Sequence, residues 1–117
     1  MARRLKRVIL MPRSNRTNPE VRFEWDPRKA ESNKRKHGIS FSLAAQVFGD
    51  SLAEKEVEGD EHGEIRWTAI GQVGRLLVRV TYTTYEEEDC EVIRIISARK
   101  ATPRERRAYQ GYTEDDG

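Results

Sequence analysis

Val92–Tyr109, VIRIISARKATPRERRAY, reads as a buried strand, a basic turn and a capped helix. Val92, Ile93, Ile95 and Ile96 make a β-branched run of strand length, interrupted only by Arg94. Arg99 and Lys100 follow where such a strand leaves the core. Thr102-Pro103-Arg104-Glu105 has the form of a capping box, with Thr as N-cap, Pro at the first helical position and Glu three residues after the cap. Several cations therefore surround the exit of one central strand and the helix that follows it. An anionic polymer is the natural partner for such a cluster.

Working outward, strand signals precede this stretch. Ile65–Ile70, ending at Gly71, Arg75–Tyr85 and Glu91–Ala98 are expected strands. Gln72-Val73, between Gly71 and Gly74, is expected to make a tight hairpin, and the acidic run 86–90 a looser one. Short links between consecutive strands imply antiparallel pairing. Val21, Phe23 and Trp25 alternate with polar residues, so VRFEW is a further short strand. Asp26-Pro27 then opens a helix that should stop at Gly38, with Lys34, Arg35, Lys36 and His37 in its last turn. Its interior, RKAESNKRK, has one alanine and little else apolar, so it should cover little core. Ser40 can cap a second helix whose apolar stripe is Phe41, Ala44, Ala45 and Phe48, closed by Gly49-Asp50. Ala53–Val57 is a candidate short strand, and Glu58–Glu64 is expected to be an acidic loop. The fold class is α+β: two N-terminal helices, an antiparallel β-sheet and a C-terminal helix.

Period-two alternation carries the functional information. Leu76, Val78, Val80 and Tyr82 share one face of the long strand, with Leu77, Arg79, Thr81 and Thr83 on the other. Pairing the apolar faces of the strands puts Arg66, Arg79 and Arg94 together on the opposite face. A register slip of one residue would destroy that grouping. Each arginine would otherwise lie flat on a solvated sheet face, pairing with acids of the 58–64 segment. Trp25 and Trp67 fall on the apolar faces, where core packing is favoured over base stacking.

With 117 residues the chain suits one domain with a modest core, and charged and apolar residues are equally abundant at 36%. The net charge is only +2, but residues 1–19 hold six arginines or lysines and no acid, while 86–91, EEEDCE, hold five acids and no base. Residues 1–20 read as a flexible basic extension, which would track a phosphate backbone if ordered. Ile9 and Leu10 could add an edge strand there. Residues 21–110 form the domain, and 111–117 a polar tail. Cys90 is the sole cysteine, so there is no intrachain disulfide and a reducing compartment fits. Val8–Met11 is far too short to span a bilayer, which points to a cytoplasmic protein with no membrane association. His37 and His62 are isolated and the acids sit in runs, so neither a metal site nor a cofactor is expected.

FEWDPRKAESNKRKHGISF, RWTAIG, GRLLV and IRIISARKATPRERRAY, in this order, resemble the BrnT family of toxins from type II toxin–antitoxin pairs. The resemblance covers about residues 22–109. It implies a RelE-like fold and a metal-independent ribonuclease that halts translation. It also implies a cognate BrnA-like ribbon-helix-helix antitoxin, through which DNA would be bound only indirectly. The large charged surface and small core are compatible with a homodimer or an antitoxin-bound hetero-oligomer. The cationic sheet face, or the helix from Pro103 to Gln110, would suit antitoxin docking.

RNA carries its own nucleophile, the 2′-hydroxyl. Cleavage then needs a base, cations for the phosphorane and an acid for the 5′-oxygen. Arg66, Arg79 and Arg94 suit the middle task, being planar, always charged and bidentate toward phosphate. Arg75, Arg99 and Lys100 are candidate RNA-positioning groups. His37 is a candidate proton-transfer group, histidine being the usual side chain for that work, and Lys36 lies beside it, within a KHG motif that matches the family pattern. His37 would equally serve as a helix-closing cation, and Glu24 is a further candidate base. One departure stands out. The family often has a His-Thr-Tyr-Arg type sequence at the end of the long strand, where this chain has Thr83-Thr84-Tyr85-Glu86. Either the acidic hairpin lies away from the RNA, or Glu86 repels phosphate and weakens the enzyme, leaving a module that binds nucleic acid or protein within an antitoxin complex without cutting.

Overall fold

The computed structural model describes residues 7–11 and 20–113. The rest of the basic extension and the end of the polar tail lie outside the described residues. The chain is α+β, with a six-stranded sheet in the order β1-β2-β6-β5-β4-β3. The strands are β1 (Arg7–Met11), β2 (Glu20–Trp25), β3 (Glu54–Glu61), β4 (Glu64–Val73), β5 (Leu76–Glu87) and β6 (Cys90–Lys100). The helices are α1 (Pro27–His37), α2 (Phe41–Ala45) and α3 (Pro103–Thr113), with a 3-10 turn at Gln46–Gly49.

The sheet is mixed, not wholly antiparallel. β3 to β6 form an antiparallel meander, but β2 lies parallel to β6. The cause is the long helical connection. β2 and β3 point in opposite directions, so the chain leaves β2 and enters β3 at the same end of the sheet. α1, α2 and the 3-10 turn make that connection across one face of the sheet, freeing β2 to pair with the last strand instead of the next one.

Local signals set the helix ends. Asp26 caps α1 by accepting from the Arg28 N–H at 2.9 Å, and Gly38 closes it with φ 75°. Ser40 accepts from the Leu43 N–H at 3.1 Å. The second apolar stripe is split, α2 giving way to the 3-10 turn before Phe48. Phe48 sits between Phe23 and Tyr82, with ring centroids 5.4 and 4.8 Å away, and Trp25 meets Phe41 edge-on at 5.9 Å. These rings join Val78, Val80, Ile93 and Ile95 in one core between the helices and the sheet. Trp67 packs against it, partly buried.

Three turns differ from the sequence expectation. The 58–64 segment is not a loop: β3 runs through it to Glu61, and His62-Gly63 turns with φ 55° and 78°. The β4–β5 turn is Gly74-Arg75, one step later than Gln72-Val73, which stay in the strand. The acidic hairpin is tight, with Glu88 and Asp89 at φ 42° and 54° and Glu87 facing Cys90 across it. Positive φ at both central residues gives the right-handed twist that a two-residue hairpin needs. Gly71 does not end its strand either. A Cβ there would come within 2.8 Å of Val47, so glycine lets β4 pass under the 3-10 turn.

α1 is held by a polar side chain. Asn33 is buried, donates to the carbonyls of Ile39 and Ala98 at 3.0 and 2.8 Å, and accepts from the Ala98 N–H at 3.1 Å. β2 pairs with β6 only as far as Arg94, so Ala98 would otherwise be an exposed edge. The amide of Asn33 stands in for the missing strand.

Candidate functional site

Register decides which side chains share a face. Val78, Val80 and Tyr82 point into the core, so Arg79, Thr81, Thr83 and Tyr85 point away from it. Arg79 faces Ile70 on one neighbour and Arg99 on the other. Arg94 pairs with Thr83, and Arg66 precedes Trp67, which pairs with Tyr82. Arg66, Arg79 and Arg94 thus emerge on the sheet face away from α1 and α2.

Arg99 joins them through a bulge. The β5–β6 register shifts between Thr81 and Tyr82, whose partners are Ser97 and Ile95, leaving Ile96 unpaired. That extra residue reverses the alternation. Without it Arg99 would point into the helix side; with it Arg99 stands opposite Arg79. Two like charges so placed repel, and Glu105 separates them. Its carboxylate takes two bonds from Arg99, both 3.0 Å, and lies 3.4 Å from the Nε of Arg79. Glu105 also closes the capping box, accepting from the Thr102 N–H at 2.9 Å while its own N–H donates to Thr102 Oγ1 at 3.1 Å. Glu58 adds a weaker contact to Arg79 at 3.7 Å.

The bond to Arg99, ahead of burial, which opposes it, holds Glu105 below its ordinary value of 4.5. A carboxylate depressed in the folded state adds stability that is present above its unfolded pKa and lost as pH falls through the folded one. Glu105→Gln is therefore expected to flatten the acid limb of melting temperature against pH below about 4.5. An acid limb unchanged from wild type would show that the triad contributes nothing to stability.

Lower on the same face lies a second group. Arg94 makes no ion pair among the described residues, and the buried Thr83 lies next to it. Glu24, level with Arg94 on β2, is only 6% exposed, not solvent-facing. It accepts a 2.7 Å hydrogen bond from the phenol of Tyr85, which reaches over β6 from β5. Burial first, and then the bond to Glu24, pushes Tyr85 up to about 12. Arg22 pairs with Glu87 at the rim. Glu86 alternates to the other face, so its carboxylate stands away from the arginines.

Other sequence candidates are not gathered here. Lys36 and His37 end α1, which packs on the opposite face of the sheet, and both are exposed. Lys100 pairs with Val78 and so shares the helix side. Arg75 occupies the exposed turn between β4 and β5. An open groove of about 740 Å³ between α1 and α2, lined by Trp25, Ala30, Lys34 and Phe41, also belongs to the helix side. Among the described residues no group of three or more His, Cys, Asp or Glu side chains is placed to hold a metal ion, and no helix is long and apolar enough to cross a membrane. The Glu24–Tyr85 bond and the Glu105 bridge had no signal in the sequence, since each joins separate elements.

A family model described as ribonuclease toxin, BrnT, of type II toxin–antitoxin system matches residues 25–105. That span takes in Arg66, Arg79, Arg94 and Arg99. No curated protein matches the chain significantly.

Proposed function

The chain belongs to the BrnT family of ribonuclease toxins of type II toxin–antitoxin systems, and from that premise we propose that it is an endoribonuclease that cuts RNA without a metal and inhibits translation. The observation that supports this most is the shared face of Arg66, Arg79 and Arg94, with Arg94 making no ion pair among the described residues. In the proposed reaction the 2′-hydroxyl attacks its own phosphate. Arg94 and Arg66 hold the doubly charged phosphorane, and the 5′-oxygen leaves with a proton. Fixed guanidiniums are suited to this because they need not reorganise as charge builds. Arg79 and Arg99 lie four strand residues from the level of Arg94, roughly 13 Å away, and would receive a neighbouring phosphate of the same strand. The antitoxin is proposed to be a BrnA-like ribbon-helix-helix protein that covers this face, bringing the complex to its operator DNA. The compartment proposed is the cytoplasm.

The test is purified, antitoxin-free protein added to mixed RNA in EDTA. Fragments with 2′,3′-cyclic phosphate ends are expected, as is growth arrest on expression without antitoxin. RNA left intact would remove the nuclease reading. A non-cleaving binding module is the second reading, favoured by the carboxylates already seated on Arg79 and Arg99. Its signature is RNA binding that weakens steeply with salt and yields no fragments.

A further inference from the structure

The arginines supply charge for a phosphorane but cannot trade protons, and Glu105 on the same face is held by Arg79 and Arg99. The groups placed to move protons are the buried Glu24 carboxylate and the Tyr85 phenol bonded to it. We propose that Glu24 and Tyr85 act as a linked base and acid in RNA cleavage, Glu24 taking the 2′-hydroxyl proton and Tyr85 protonating the departing 5′-oxygen. This rests on the ribonuclease reading given above.

Three features of the geometry carry it. The Tyr85–Glu24 bond, 2.7 Å long, passes over β6 between Val92 and Arg94, so it lies beside Arg94, which makes no ion pair among the described residues. It uses Oε2 of Glu24 and leaves Oε1 without a hydrogen bond among the described residues. Glu24 is 6% exposed while Tyr85 is 43% exposed, so the carboxylate is fixed and the phenol stands at the solvent boundary where a strand of RNA would arrive. The charged groups around the pair are Arg94, Arg22 and Glu87, the last two held to each other.

The protons balance without a co-reactant. Oε1 of Glu24 accepts the 2′-hydroxyl proton as the 2′-oxygen bonds to phosphorus. The bond from phosphorus to the 5′-oxygen breaks, and that oxygen takes the proton of Tyr85. Neutral Glu24 then returns its proton to the Tyr85 phenolate. The net change is one proton moved from the 2′-oxygen to the 5′-oxygen. A phenol raised to about 12 stays protonated at neutral pH, yet is far more acidic than the alcohol it protonates.

The experiment first maps a linkage cut by the wild-type protein in mixed RNA with EDTA. That linkage is then made in two forms, ordinary RNA and one with sulfur in place of the bridging 5′-oxygen. A thiolate leaves without being protonated. Tyr85→Phe is expected to slow cleavage of the ordinary form by on the order of 10²–10⁴-fold, and of the sulfur form by less than about tenfold. Glu24→Gln, which keeps an acceptor for Tyr85, is expected to slow both forms alike. The ratio of the two substrates within one variant does not depend on how much of it is folded. Equal losses on both substrates for Tyr85→Phe, or no loss on either, would overturn the assignment. If the wild-type protein cuts nothing, the ribonuclease reading falls and this pairing falls with it.

Discussion

Arg94→Ala is expected to lower the rate of RNA cleavage by on the order of 10²–10³-fold, the usual cost of removing one fixed donor from a developing oxyanion. Arg94 is a partly buried residue on the central strand β6, and its neighbours on the same face are Thr83 and Glu24. It makes no ion pair among the described residues, although the buried Glu24 lies level with it on β2. The fold should hold, with stability lowered by about 1 kcal/mol. Binding of RNA should weaken less than turnover, because Arg66, Arg79 and Arg99 remain on the face. Arg94→Lys should recover only part of the rate, since an ammonium cannot grip two phosphate oxygens at once. Lys100→Ala is the control. Lys100 shares the helix side with Val78, so cleavage should stay within about threefold of wild type. Single-turnover rates on one RNA, read beside thermal melts, make the comparison. An Arg94→Ala protein that cuts as fast as wild type would empty the site of its main cation.

The largest effect on stability is expected from Asn33→Ala. The loss would orphan the N–H and carbonyl of Ala98 and the carbonyl of Ile39, all in a water-poor position. Each buried unpaired group costs about 1–3 kcal/mol. Allowing for relaxation, a net loss of about 3 kcal/mol is reasonable, which for a domain of this size lowers the melting temperature by roughly 12–24 °C. Asn33→Asp should not repair it, because both donated bonds disappear and a charge is buried in their place. A thermal melt within about 3 °C of wild type would mean that α1 is held by something else.

Asn33 also shows where sequence reading stops. In RKAESNKRK nothing distinguishes it from the exposed polar residues around it. Its role comes from β2 ending at the level of Ile95, which leaves Ala98 with backbone groups to satisfy. Glu24 reads either as a candidate base or as a solvent-facing residue of a short strand, and its burial and the bond from Tyr85 on β5 appear only in the fold. Glu86 is a case the linear sequence leaves open. It stands either where it would repel RNA or on a hairpin turned away from it, and strand alternation puts it on the far face, with Arg22 paired to Glu87 beside it.

What the chain's residues determined unaided were the features that depend on near neighbours. At Asp26, Ser40 and Thr102 a side chain bonds to backbone two or three residues on, and at Gly38 the backbone N–H donates to the Lys34 carbonyl in a left-handed conformation that glycine adopts freely. The common face of Arg66, Arg79 and Arg94 follows from period two in strands whose inner faces must be apolar. Tertiary structure alone decided the rest. The parallel seating of β2, the unpaired Ile96 that turns Arg99 outward, the Glu105 bridge and the Glu24–Tyr85 bond all depend on which distant segments meet. Such meetings are settled by how a whole sheet closes its core, and no local stretch of sequence encodes them.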